Sequence, residues 1–221
     1  MRLQQFLFKG KNNSKWLLLS LIVLLLLPIP VHLLPNFKGI IFQIALSFVV
    51  FAGIQLISNS IQHFIVGLVM GCIAILFIWL GSKTGQSGFI KFARIFFTTV
   101  FLAFVGYRLL GIISKSKTIT LNTIAAAVSG YFLIGLFGGQ LCQMINLLIP
   151  DSYNLVGGNE AYQLMYFSFT TLTSLGFGDI LPVTQSAQSL ALLLGITGQL
   201  YLTILVAILV GKYLMQEPSK A

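Results

Sequence analysis

Six long apolar blocks, separated by short polar or basic gaps, organise this chain: Trp16–Leu34, Gly39–Ile57, Phe64–Leu80, Phe92–Ile113, Thr123–Ile149 and Leu190–Leu214. Each lies near the ~17–25 residues that a helix needs to cross a hydrocarbon core about 30 Å thick. The pattern therefore predicts six spanning helices, the first loosened near its far end by Pro28 and Pro30. A seventh amphiphilic segment, Ala161–Thr173, is too short to cross. It runs into Ser174-Leu175-Gly176-Phe177-Gly178-Asp179 and is closed by Pro182. Non-helical backbone at membrane depth survives only where protein buries it or where it lines a water-filled path. A short helix that leads into a glycine-rich strand and returns on the same side therefore predicts a pore loop. No second copy of that loop occurs, so one chain supplies one loop.

Composition sharpens the picture. The chain is 57% hydrophobic and 8% charged, against roughly 25% charged for a soluble domain. With a mean hydropathy of +0.97, it reads as integral to a membrane. Cys72 and Cys142 both sit inside apolar blocks, where a free thiol behaves as a small hydrophobe, so neither a disulfide nor a metal framework is expected. No Ser/His/Asp constellation or phosphate loop points to catalysis, and no enzyme activity or bound cofactor is expected. The net charge of +9 does not imply nucleic acid, because the basic residues flank the apolar blocks and so set orientation.

With the N-terminus inside, the cytoplasmic side collects Arg2, Lys9, Lys11, Lys15, Lys115, Lys117, Lys212 and Lys220. The outer side then holds Lys38, Lys83 and Lys91, with Arg94 at most a fourth. That asymmetry favours both termini in the cytoplasm of an inner (plasma) membrane protein. Three of the four acids, Asp151, Glu160 and Asp179, fall in the pore-loop region, and Glu217 is the fourth. A ring of such acids raises the local concentration of cations.

A carbonyl filter must aim successive backbone oxygens at a dehydrated ion. Gly176 and Gly178 suit it because the required backbone angles are ones that a Cβ disfavours. The run Thr170–Asp179 resembles the potassium-channel signature. From about Ile119 to Leu214 the chain is similar to the bacterial ion-channel family, with an outer helix, a pore loop and an inner helix. Met165–Phe169 resembles that family's pore helix; Gln199–Leu202 and Leu205–Gly211 resemble its inner helix. The resemblance implies an all-α membrane fold with six spans and a re-entrant pore helix, assembled as a homotetramer in lipid. Its ion-binding residues would be Thr173, Ser174, Leu175, Gly176, Phe177 and Gly178, with K+ held at Ser174 to Phe177 as the permeating ion. Asp179, Tyr166 and Thr170 would support the filter and form its outer mouth. Serine replaces the family's threonine at 174, and Phe177 replaces its usual tyrosine. Gly198 falls at the family's inner-helix hinge, with close helix packing the equal alternative; Gln199, Leu202, Val206 and Val210 would line the cavity.

The expected organisation is a four-span scaffold (1–118), a pore domain (119–214) and a short cytoplasmic tail (215–221). The fourth span carries Arg94 and Arg108, separated by ~21 Å of helix, and residues 1–150 contain no acid. Strong voltage gating needs several charges per subunit, so the first four spans read as scaffold rather than as a conventional sensor. His32 and His63 read as interfacial rather than as metal ligands; Gln43, Gln55, Gln140 and Gln143 read as bonding between helices. Trp16, Trp79 and Tyr107 read as interface anchors. A potassium-selective channel is the expected function. The alternatives are a weakly selective cation channel and a non-conducting accessory membrane subunit.

Overall fold

The computed structural model describes residues 13–27, 38–57, 61–83, 87–116 and 118–214. Among them the chain forms seven helices: α1 (Asn13–Leu26), α2 (Lys38–Ile57), α3 (Ile61–Lys83), α4 (Gly88–Lys115), α5 (Leu121–Leu148), α6 (Glu160–Leu172) and α7 (Gln185–Leu214). Five of these, α2, α3, α4, α5 and α7, are long and apolar enough to cross a membrane. With that pattern the chain is a multi-pass membrane protein whose described residues form helices and no β-strand. The described part of the first expected span is a helix of 14 residues ending at Leu26, about 21 Å at 1.5 Å per residue. Its expected outer end, with Pro28, Pro30 and His32, lies outside the described residues. So do the basic head (Arg2, Lys9, Lys11), Lys117, Lys220, Glu217 and the tail 215–221.

Most helices run longer than their apolar cores. α4 begins four residues before Phe92, and α7 begins five before Leu190. Polar residues such as Gln185, Ser186 and Gln188 continue the helix once it has left the most apolar zone, because backbone hydrogen bonding needs no apolar side chain.

The chain divides into two compact units. In the first, residues 1–116 and 120–130, α2 packs against α1, α3 and α4. Leu17, Leu21 and Leu24 give α1 a buried stripe, while Trp16, Leu19, Ile22 and Val23 on its other faces are exposed yet equally apolar. That is the composition expected where the outside of the bundle is hydrocarbon. Small residues let the helices close up: a Cβ on Gly53 would press on Val105 and Phe101, and one on Gly71 on Ile54. Phe101 is fully buried between these elements. The Arg94 stem lies over Gly81 of α3, and the Trp79 indole donates to Ser47 Oγ at 3.3 Å.

The second unit, residues 117–119 and 131–221, holds most of α5 and all of α6 and α7. α6 seats on a glycine face of α5. A Cβ at Gly135 would strike the Phe169 ring, one at Gly138 would strike Ser168 and Leu194, and one at Gly139 would lie 2.9 Å from Met165 Cα. Gly135 and Gly139 stand four apart, the spacing at which small residues let membrane helices approach. The gap is closed by Ser168 Oγ, which donates to the Gly135 carbonyl at 2.8 Å. Gln143 was expected to bond between helices; its amide instead donates within α5, to Gly139 at 3.4 Å. On the α6 side, Cys142, Tyr153, Leu164, Phe167, Ala187 and Leu194 form one apolar core.

Candidate functional site

The site is an irregular, non-β strand of backbone, Thr173–Asp179, hung from the C-terminus of a short helix. α6 starts at Asn159, whose side chain accepts from the Tyr162 N–H at 3.3 Å, and this N-cap satisfies one of the orphan donors of the first turn. Glu160 follows in that turn, where the helix dipole favours a carboxylate, and Asn146 Nδ2 donates to it at 2.8 Å. The segment before α6 is tied across to the segment after the strand. Tyr153 bridges antiparallel to Pro182, the Asn154 N–H donates to the Leu181 carbonyl at 3.2 Å, and the Val183 N–H to the Ser152 carbonyl at 2.8 Å. Leu181 N–H returns a bond to the Asn154 side chain. Both ends of the loop are thus clamped to each other.

At its other end α6 stops at Leu172, with Thr173 as C-cap in a helical conformation (φ −84°). The Thr173 hydroxyl donates to the Phe169 carbonyl at 2.7 Å and to that of Thr170 at 3.3 Å. Three successive N–H groups then turn back on the helix: Ser174 to the Thr171 carbonyl (3.0 Å), Leu175 to Thr170 (2.9 Å) and Gly176 to Thr170 (3.2 Å). In a planar trans peptide the carbonyl points opposite to the N–H of the next residue. The carbonyls of Thr173, Ser174 and Leu175 therefore face away from α6, all on one side. Continuing that direction needs left-handed backbone at alternate residues, and φ is +60° at Ser174, +51° at Gly176 and +77° at Gly178. Leu175 and Phe177 between them keep negative φ. Thr170 supports the strand through this carbonyl, since its own hydroxyl donates to Phe167 within the helix at 3.0 Å.

Behind the strand, the Tyr166 ring stacks on Phe177 with centroids 6.5 Å apart and planes within 5°. The Tyr166 hydroxyl also lies near the Asp179 carboxylate. Partial desolvation, then the neighbouring Asp179 carboxylate and its charge, raise the phenol above its ordinary range. One aromatic side chain of α6 thus stacks on the strand and sets its hydroxyl beside the acid that follows it.

The inner end of the strand meets α7, which runs unbroken from Gln185 to Leu214 through both Gly195 and Gly198. A Cβ at Gly198 would collide with the Leu172 carbonyl oxygen, whereas one at Gly195 would lie 3.9 Å from that of Thr171. The Leu172 carbonyl also accepts from the Tyr131 hydroxyl of α5 at 3.2 Å. The residue after Gly198, Gln199, donates from Nε2 to Ser174 Oγ at 2.8 Å. Leu202, Val206 and Val210 follow on α7 and are all exposed.

On one side this assembly is open. Residues Thr173 to Asp179 are all exposed, and only 11% of the α7 span is buried. An open, apolar cavity of about 780 Å³ lies against α7, lined among others by Thr171, Ser174, Gly195, Ile196 and Gln199. Charge is one-sided as well. Between Thr118 and Gly211 the sequence holds Asp151, Glu160 and Asp179 but no lysine, arginine or histidine.

The sequence reading missed several parts of this site. The glycine face of α5 was legible as Gly135-x-x-x-Gly139, whereas Tyr131, Asn146 and Asn154 carry no spacing that would single them out. Among the described residues no cluster of His, Cys, Asp or Glu is placed to hold a metal. Residues 142–215, a third of the chain, match the family model described as an ion channel. No curated protein and no solved structure matches the chain. The matched segment covers the last turns of α5, the clamped loop, α6, the strand and α7, and so marks the site as similar to an ion-channel pore rather than to an enzyme's active site.

Proposed function

We propose that the chain is the subunit of a potassium-selective channel, with four copies bringing Thr173–Gly178 together around a central axis. The observation that carries this is the strand itself: three N–H groups turned onto α6, alternate residues left-handed at 174, 176 and 178, and the carbonyls of Thr173, Ser174 and Leu175 facing outward on one side. Carbonyl oxygens so aligned replace the hydration shell of a dehydrated cation only when further copies complete the ring. A single exposed strand of this kind within lipid would leave polar backbone unsatisfied at several kcal/mol per group. Closed rotational symmetry is the ordinary way for identical chains to cover it. The same closure would bury the open side of α7. Glu160, Asp179 and Asp151, repeated around the axis from a stretch of sequence without a base, would form a cation-attracting mouth.

In this reading Ser174, Leu175, Gly176 and Phe177 provide the ion sites and Gly178 ends the strand. Tyr166 and Asp179 brace it, and Gln199, Leu202, Val206 and Val210 face the inner cavity. K+ and the surrounding lipid are the expected partners, with both termini cytoplasmic. The serine at 174 and the phenylalanine at 177 favour one second reading, a channel of weaker cation selectivity, since each removes a group that stiffens the usual filter.

The test is to reconstitute the purified chain alone in liposomes and to follow potassium flux with and without a membrane potential, alongside its mass in mild detergent. A tetramer that passes potassium is expected. A monomer or dimer that retains the flux, or a tetramer that passes none, contradicts the proposal.

A further inference from the structure

We infer that Gln199 is a positioning residue for the innermost ion site: its amide fixes the Ser174 hydroxyl and supplies the rigidity that serine lacks. The inference rests on the channel reading above. It starts from Ser174 itself. A threonine carries two heavy atoms on Cβ and is stiff at χ1, whereas a serine hydroxyl has three staggered wells open to it. Here the serine also sits on left-handed backbone, at φ +60°. An oxygen that must meet an ion at a defined place cannot be left to rotate, and Gln199 Nε2 donates to it at 2.8 Å.

The surrounding geometry is arranged to make that contact. α7 reaches the end of α6 only because residue 198 is glycine, since any Cβ there would collide with the Leu172 carbonyl. That carbonyl is itself held by the Tyr131 hydroxyl at 3.2 Å, so α5, α6 and α7 converge within two residues of Ser174. Gln199 is the next residue after the closest approach and its backbone lies on an unbroken helix. Its carbonyl accepts from Thr203 Oγ1 at 2.8 Å, a bond made entirely within α7. A hydroxyl oxygen offers two acceptor positions and one proton. With one lone pair taken by the Gln199 amide, the other remains for a cation, and the proton is free to bond water on the cavity side. The amide therefore orients the oxygen without occupying the face the ion would use.

The experiment uses the full chain reconstituted in planar bilayers, with potassium as the probe and current measured against its concentration. Gln199→Met removes the donor at similar length and flexibility. Loss of one hydrogen bond of ordinary strength should raise the half-saturating potassium concentration about three- to tenfold, with tetramer mass and thermal midpoint unchanged. Ser174→Thr introduced into Gln199→Met should restore the wild-type value, because the added methyl supplies stiffness from within the residue. Rescue of that kind is not expected if Gln199 only fills space. Should Gln199→Met fail to assemble, Gln199→Leu replaces it in the same comparison. Wild-type saturation in the single variant, or a double variant as impaired as the single one, overturns the role of Gln199 alone. A wild-type protein that passes no potassium overturns the channel reading and this inference with it.

Discussion

Tyr166 meets the strand in two unlike ways, with a ring stacked on Phe177 and a hydroxyl placed beside the Asp179 carboxylate, to which the proposed filter would have it donate. Tyr166→Phe keeps the first and removes the second. Because hydrogen bonds to charged groups are worth about 1.5–3 kcal/mol, this change should speed inactivation of the filter or lower its selectivity while tetramers still form. Asp179→Asn should act in the same direction, and the double variant should be no worse than either; strictly additive effects in macroscopic currents would show that Asp179 is held by something else. Gly198 and Gly195 make a second contrast. Gly198→Ala drives a methyl into the Leu172 carbonyl, a backbone atom unable to step aside, whereas Gly195→Ala meets nothing closer than 3.9 Å. Overpacking typically costs ~1–3 kcal/mol. Gly198→Ala should therefore lower the thermal midpoint of the assembly and Gly195→Ala should not; equal tolerance of both would mean that the close approach at 198 is not needed. At this scale the sequence was informative wherever glycine announced a special backbone. It was silent at Ser174, whose left-handed φ is set by the α6 carbonyls that its neighbours bond and not by its own propensity.

Among the helices, five of the six expected spans and the short α6 were legible because apolar length is a strong signal in a chain with so few charges. Their ends were not, since polar residues such as Gln185 extend a helix beyond its apolar block without leaving a mark. The seating of α6 on Gly135, Gly138 and Gly139 was half legible, as a small-residue spacing without an indicated partner. α4 illustrates what composition does decide. Its two arginines lie fourteen positions apart, and no acid occurs anywhere in residues 1–150 to pair with them as they move. Carrying an arginine to mid-membrane costs about 2.5–3.5 kcal/mol on the insertion scale, and steep voltage dependence needs several such charges. Arg94→Gln and Arg108→Gln should each leave the slope of the conductance–voltage relation nearly unchanged. A large fall in gating charge in either variant would assign the first four helices a sensing role.

For the molecule as a whole, the proposed assembly would complete what the second unit leaves open. Its loop is clamped at both ends and its strand is braced from behind. Yet Thr173–Asp179 and most of α7 lie exposed in the single chain, and its three acids have no basic neighbour in sequence between Thr118 and Gly211. A strand with outward carbonyls, an apolar span without cover and an acidic loop region would all be answered together by the proposed repetition around an axis, with a cation at its centre. The account is most directly tested by the reversal potential of the purified chain in a planar bilayer, with potassium on one side and sodium on the other. It predicts a reversal far toward the potassium equilibrium potential, moving to zero when potassium replaces the sodium. A current that reverses near zero with the two ions opposed would contradict it.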